Sequence, residues 1–334
     1  MLSTPVLALA ALLTAAPTLA DEVNVYSYRQ PELIKPLTDA FTDKTGIKVN
    51  AVFLNKGLVE RLKAEGKRSP ADLIFTVDIS RLAGVVDAGV TQSVESEVLN
   101  ANIPAEMRDA DGHWFGLTAR ARVVYASKDR VSANEITTYE DLATEKWKGR
   151  ICIRSGMNAY NLALTSAMIA HHGEADTKAW LEGVKGNLAR KPQGNDRAQV
   201  KAIWAGECDI SIGNTYYMAA MLKKDDQKPW AESVRIVFPA FENGGTHMNI
   251  SGMAMTKSAP NKENALKLME FLASAEGQKI YADIIAEYPV LDSVKSSDLV
   301  ESWGNFTRDD MALTTIAANR AASVKLVEEV SFDE

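Results

Sequence analysis

Histidine and cysteine are scarce in this chain, four and two among 334 residues. No HExxH, nucleophile elbow, P-loop or dinucleotide fingerprint occurs in it, so the commonest hydrolytic, phosphate-cradling and nicotinamide chemistries have no motif to rest on. Basic residues are outnumbered, with 37 Lys and Arg against 44 Asp and Glu and a formal net charge of -7. No Lys/Arg stripe appears, which argues against nucleic acid as a partner. Beyond the first twenty residues no apolar run approaches the ~18 residues of a membrane span, so the mature chain is not expected to be membrane-embedded. Internal repeats, low-complexity tracts and flexible linkers are also missing.

What is present begins with an uncharged, apolar stretch, MLSTPVLALAALLTAAPTLA, over residues 1–20. It ends in Thr18-Leu19-Ala20, with small residues at the two positions a signal peptidase reads. It lacks the Lys or Arg that usually opens a leader. The reading is a signal peptide cleaved before Asp21 and export to the periplasm; the alternative is a buried N-terminal helix. In an oxidising compartment the even pair Cys152 and Cys208 suggests one disulfide. Each lies in or next to a strand-like run, RICIRSG and ECDISIG, and two separate buried thiols remain the alternative.

The length suits two domains of ordinary size. EVNVYSY, KVNAVFL and ADLIFTV read as strands, separated by helical stretches that start at Pro31, residue 57 and Asp78 and stop at Gly46, residue 66 and Gly89. This is an α/β layer with a parallel sheet. The pattern restarts at Thr138, where Thr138 and Asp141 offer a capping box. A strand entering a loop over residues 148–156 follows, then a helix from Asn161 to His171 stopped by Gly173, helices near 176–189 and 196–206, the strand CDISIGN and a helix from about Tyr216. Two strand-like runs between 232 and 256, helices at 261–273 and 275–286 and a largely helical tail complete the chain. With no loose joint, the two units read as lobes connected by crossing strands. Ligands of such sheets lie at the carboxyl ends of strands, which puts the site in the cleft between the lobes.

Two strand-to-helix turns carry the chemistry. Gly213-Asn214-Thr215-Tyr216-Tyr217 places adjacent phenols together, and adjacent side chains converge only on irregular backbone, which a loop supplies. Ser155-Gly156-Met157-Asn158-Ala159-Tyr160 adds a third phenol in the same unit. Three phenols at one point suit a hard trivalent cation. A free tyrosine, with pKa about 10, stays protonated, but a highly charged cation makes the phenolate the stable form. Three phenolates balance Fe(III) charge for charge. Half-buried packing is the other explanation of these tyrosines.

The sequence resembles the bacterial periplasmic ferric-ion-binding proteins, the iron members of the transferrin-like solute-binding superfamily. VYSYRQ (25–30), GLTARAR (116–122), SGMNAY (155–160) and GNTYY (213–217) carry the resemblance, with NISG (249–252) and EYP (287–289) in support. It runs in order over the mature chain. It implies a type II periplasmic binding protein fold, two α/β lobes joined by crossing hinge strands, here expected as residues 21–119 with 244–294 and residues 120–243 with 295–334. It makes Tyr160, Tyr216 and Tyr217 the iron ligands, and closure by hinge motion the mechanism. It also implies an inner-membrane ABC permease as partner and a monomeric, non-enzymatic carrier.

One departure from the family is informative. Where many members have a histidine after the first strand, this chain has Gln30 and Pro31, and neither is a good Fe(III) ligand. The sequence is therefore similar to the subgroup in which a bound carbonate completes three tyrosines. Such a centre needs cations near the anion, and Arg29, Arg120 and Arg122 are candidates because a guanidinium fork fits a planar oxyanion. Each could instead make an ion pair. Gln30 could donate a hydrogen bond. Tyr28 is a candidate fourth ligand or a partner of the anion, or it packs on the same strand face as Tyr26. His171 and His172 read as helix-terminal charges, His247 as backbone support near a hinge strand, and Asp72 and Asp78 as caps. Two other functions compete: a carrier of a small organic ion such as a polyamine, thiamine or phosphonate on the same fold, and an enzyme, for which no nucleophile–base pair is evident.

Overall fold

The computed structural model describes residues 21–334; the leader expected over residues 1–20 lies outside the described residues. The alternation of EVNVYS makes the first strand, β1 (Glu22–Ser27), with Val23 and Val25 buried on one face and Tyr26 on the other. It pairs in parallel with β2 (Lys48–Phe53) and β3 (Leu73–Thr76) on its two edges. Helix α1 (Pro31–Thr45) connects β1 to β2. Proline at its start needs no amide partner, and Gly46, at φ 74, ends it in the left-handed region. Helix α2 (Leu58–Glu65) connects β2 to β3. Helix α3 (Ile79–Asp87) begins on Asp78, whose carboxylate accepts from the Arg81 amide at 3.0 Å. Asp72 instead ties chain segments together, accepting from the amides of Asn24 and Asn261. Helix α4 (Glu97–Asn102) follows.

The parallel set is extended by antiparallel strands, so the sheet is mixed. β3 pairs antiparallel with β8 (Met248–Met255), and β8 pairs antiparallel with β4 (Phe115–Ser127). The chain returns to this sheet along β8 rather than through another helical crossover. All 13 residues of β4 are buried. Its first half, as far as Ala121, pairs with β8, and Thr118 and Ala119 also pair with β9 (Tyr288–Pro289). Its second half pairs with β6 (Ile210–Asn214) on one edge and β7 (Val234–Val237) on the other. The short β5 (Ile151–Cys152) lies parallel to β6, with Ile151 opposite Ile210. One strand therefore belongs to both lobes. The β5–β6 register brings Cys152 and Cys208 to a Cα separation of 5.8 Å, and they form a disulfide.

Helix α5 (Ala159–Gly186) is interrupted by non-helical backbone at Gly173 (φ 81), where the sequence ends one helix and starts another. Helices α6 (Asp196–Trp204), α7 (Tyr216–Leu222) and α8 (Lys228–Glu232) complete the second unit. Helix α9 (Lys262–Ala273) and α10 (Ala275–Ile280), which continues into a π-turn over Tyr281–Ile285, return to the first. In the tail, α11 (Asp298–Glu301) is short, α12 (Leu313–Ala318) touches both α3 and α5, and α13 (Arg320–Glu329) packs on α5. One core set, including Val25, Phe41, Leu73, Phe75, Leu117 and Leu268, fills one face of the first sheet. The other runs from Ile74 and Leu82 through β4 to Trp147, Leu164 and Ile212. Each such buried side chain contributes about 1.5–3 kcal/mol relative to exposure. Among the described residues no helix is long and apolar enough to cross a membrane.

Candidate metal centre

β6 ends at Asn214, and one residue later α7 begins, so Tyr216 and Tyr217 occupy the first turn of a helix rather than a loop. Helical side chains lean toward the N terminus. In a first turn nothing precedes them, and both rings reach the cleft with centroids 4.3 Å apart. Gly213 makes this turn possible. A β-carbon there would lie 2.2 Å from the Tyr125 ring, whose hydroxyl donates to the Asn214 carbonyl at 2.5 Å. Tyr160 has the matching position in α5: Asn158 caps the helix by accepting from the Tyr160 amide at 3.0 Å. The Tyr216 hydroxyl donates to the Tyr160 hydroxyl at 3.3 Å. The three phenols singled out in the sequence are thus together, each half-buried. Burial pushes the Tyr216 hydroxyl well above its usual range, and charge on Tyr160 or Tyr217 would push it further. Tyr217 is raised first by burial and then by Tyr160. Without a cation Tyr216 and Tyr217 hold their protons.

The phenols line a cleft of about 640 Å³ with Tyr28, Arg29, Gln30, Arg120 and Glu287. Arg120 donates through Nη1 to Ser251 Oγ at 2.9 Å. Arg29 also bonds Ser251, and its Nη2 meets Glu287 at 2.6 Å. Burial drives the Glu287 carboxyl up, but Arg29 and Arg120 outweigh it and hold the group below the usual range, so it is ionised. Two buried donors, Arg120 Nη2 and Arg29 Nε, have no partner among the described residues. Gln30 is exposed at the start of α1. Tyr28 lies just beyond β1, with the Arg81 guanidinium 4.4 Å from its ring.

Arg122 stands apart from the other candidates. It does not line the cleft. Its Nη1 donates to Asp196 at 2.8 Å and Asn214 Oδ1 at 3.0 Å, and its Nη2 to Asn161 Oδ1 at 2.5 Å. Three arginines that the sequence reading passed over line the cleft instead, the first being Arg81 beside the Tyr28 ring. Arg154 pairs with Asp196 at 3.0 Å, 5.5 Å from the Tyr160 ring. Arg197 lies 5.9 Å from the Tyr217 ring. Arg154 immediately precedes the Ser155–Tyr160 turn, a signal that could have found it; Arg197 carried none.

The histidines lie elsewhere. His171 meets Asp309 at 3.0 Å and His172 meets Glu140 at 2.6 Å. The His247 backbone donates to the Tyr139 hydroxyl and accepts from the Arg122 amide, each at 3.0 Å. Burial, then Arg122 and Arg120, lower the His247 pKa to about 3, so its ring is neutral. Among the described residues no three His, Cys, Asp or Glu side chains converge as a metal site.

Two lobes joined through β4, with a cleft of phenols and guanidiniums, define a solute-binding protein. The chain belongs to the bacterial extracellular solute-binding protein family, whose model matches residues 37–308. It is 44% identical over 314 residues, 93% of this chain and 87% of the relative, to iron uptake protein A1 of Synechocystis. Its fold matches the apo ferric ion-binding protein A of Pasteurella haemolytica with a TM-score of 0.91 and 53% identity, covering 94% of this chain and 99% of that one. It also matches a Trichodesmium protein solved in complex with iron and citrate, with a TM-score of 0.88 and 42% identity, covering 93% and 99%.

Proposed function

We propose that the protein is a periplasmic carrier of Fe(III), held by Tyr160, Tyr216 and Tyr217 and delivered to the inner-membrane permease of an ABC iron importer. The observation that carries this reading is the convergence of three phenols, two with hydroxyls 3.3 Å apart, in a cleft rimmed by arginines. Phenolates are hard, anionic oxygen donors that match a hard trivalent ion, and the ion's own charge offsets the burial that otherwise keeps them protonated. The similarity to proteins named for iron uptake and for ferric-ion binding supports the same cargo.

A carbonate completes the coordination. Three phenolates and a carbonate around Fe(III) leave a net negative centre, and Arg120 and Arg29 supply cationic donors, each with a buried N–H free to donate to it. Gln30 and Tyr28 lie within the same cleft to bond the anion. The citrate in the Trichodesmium protein makes citrate the competing anion. An aromatic cage for an organic amine fits less well, because such cages need acidic neighbours and arginines surround these phenols. The carrier acts as a monomer whose lobes, residues 21–119 with 244–294 and residues 120–243 with 295–334, close on the ion.

The test is a visible spectrum of the mature protein after addition of Fe(III) citrate in bicarbonate buffer. A red or orange phenolate-to-iron charge-transfer band should appear, and Tyr216→Phe or Tyr217→Phe should abolish or shift it. A wild-type protein that stays colourless with either anion would overturn the iron reading.

A further inference from the structure

Four buried polar residues connect the two tyrosine-bearing turns without entering the cleft: Arg122, Asn161, Asp196 and Asn214, exposed by 2%, 5%, 0% and 2%. Asp196, at the start of α6, accepts through Oδ2 from Arg122 at 2.8 Å and from the Asn214 backbone amide at 3.1 Å. Arg122 donates onward to the Asn214 side chain at 3.0 Å and the Asn161 side chain at 2.5 Å. Asn161 in turn donates to the carbonyls of Arg154 and Ser155, both at 3.1 Å. Asn161 is the residue after Tyr160, and Asn214 stands two before Tyr216. The second Asp196 oxygen holds Arg154 at 3.0 Å, beside the Tyr160 ring.

We propose that the Asp196–Arg122 pair is a positioning clasp that sets the separation of the Tyr160 turn from the Tyr216–Tyr217 turn, and so the geometry of the metal site. The inference rests on the Fe(III) reading for its functional consequence. Stability alone is a poor reason for such a pair, since a buried ion pair is often no more stabilising than apolar residues of similar volume. This one also leaves Arg122 Nε and Asn214 Nδ2 without partners among the described residues, an imperfect arrangement for stability. What the pair does supply is fixed register between two chain segments 56 residues apart at their tyrosines. Groups that hold ligands from behind commonly govern metal affinity in this way.

The experiment compares wild type, Asp196→Asn and the double variant Arg122→Met/Asp196→Leu. Three quantities are read: Fe(III) affinity by competition with citrate, melting temperature, and tyrosine-ring NMR signals of the metal-free proteins. Asp196→Asn should weaken iron binding about 10–100-fold, move the charge-transfer maximum and shift the Tyr160 and Tyr216 ring signals. The double variant should recover melting temperature but neither the affinity nor the ring signals. If affinity returns together with melting temperature, or if Asp196→Asn leaves ring signals and affinity as in wild type, the clasp is only structural and the proposal falls. A colourless wild type would sink the iron reading alone, because the metal-free ring signals still decide whether the clasp positions the phenols.

Discussion

Tyr216 and Tyr217 are poor acids before iron arrives, for reasons that fix how iron must bind. Burial is the leading cause of their raised pKa, and negative charge on a neighbouring phenol comes next. Every phenolate that forms at the metal therefore expels a proton near neutral pH. On the proposed ligation, iron uptake should release about three protons from the phenols and one more where bicarbonate binds as carbonate, and affinity for the ion should rise with pH. Titration in weakly buffered solution with a pH indicator checks both. The metal-free protein has the opposite dependence. A phenol whose pKa is raised by folding contributes stability below its unfolded value of about 10, and that contribution disappears as pH rises through the folded pKa. Urea midpoints of the apo protein should therefore fall above about pH 10, faster in wild type than in Tyr216→Phe.

At the scale of single elements, the features legible in the sequence were those whose partners are near in the chain. Pro31 opens α1 and Gly46 closes it. The Thr138–Asp141 capping box forms in both directions, with Asp141 accepting from the Thr138 amide at 2.9 Å and Thr138 accepting from the Asp141 amide at 3.2 Å. The turns presenting Tyr160 and Tyr216–Tyr217 were legible for the same reason, and so was the Cys152–Cys208 pair once both flanking strands were read. The roles of Arg122 and Arg154 were not. Arg122 lies within β4 and Arg154 just past β5, and what places both is Asp196, 74 residues from Arg122 and 42 from Arg154. The antiparallel return of β8 was hidden likewise, because period-2 alternation gives a strand but not its neighbour. Gly213 tests the link between element and site. Its β-carbon would collide with the Tyr125 ring, so Gly213→Ala should cost about 1–3 kcal/mol, read by urea denaturation, and should weaken iron binding by displacing the turn that starts α7.

At the scale of the molecule, β4 pairs with β8 in its first half and with β6 and β7 in its second, so it joins the two lobes. Across the cleft mouth, Lys223 at the end of α7 donates to the Ile284 carbonyl in the π-turn at 3.0 Å. This bond joins the two sides of the cleft. It is solvent-exposed, so it contributes at the low end of about 0.5–1.5 kcal/mol, and Lys223→Ala should accelerate iron release roughly twofold in a stopped-flow chelator assay. Small-angle scattering should show the radius of gyration fall when iron and carbonate bind, because the ligand favours the closed form by its differential affinity.

The position of β8 in the chain also bears on how the protein is made. It lies between β3 and β4 in the finished sheet, yet it comprises residues 248–255. While the chain is being synthesised, β3 and β4 are both available long before the strand that separates them. The first lobe therefore has no complete sheet until residue 255 has emerged from the ribosome, and until then two strand edges stay open to wrong partners. Folding of this lobe waits on that strand. The first lobe's early segment, residues 21–119 expressed alone, lacks β8 and should therefore fail to fold.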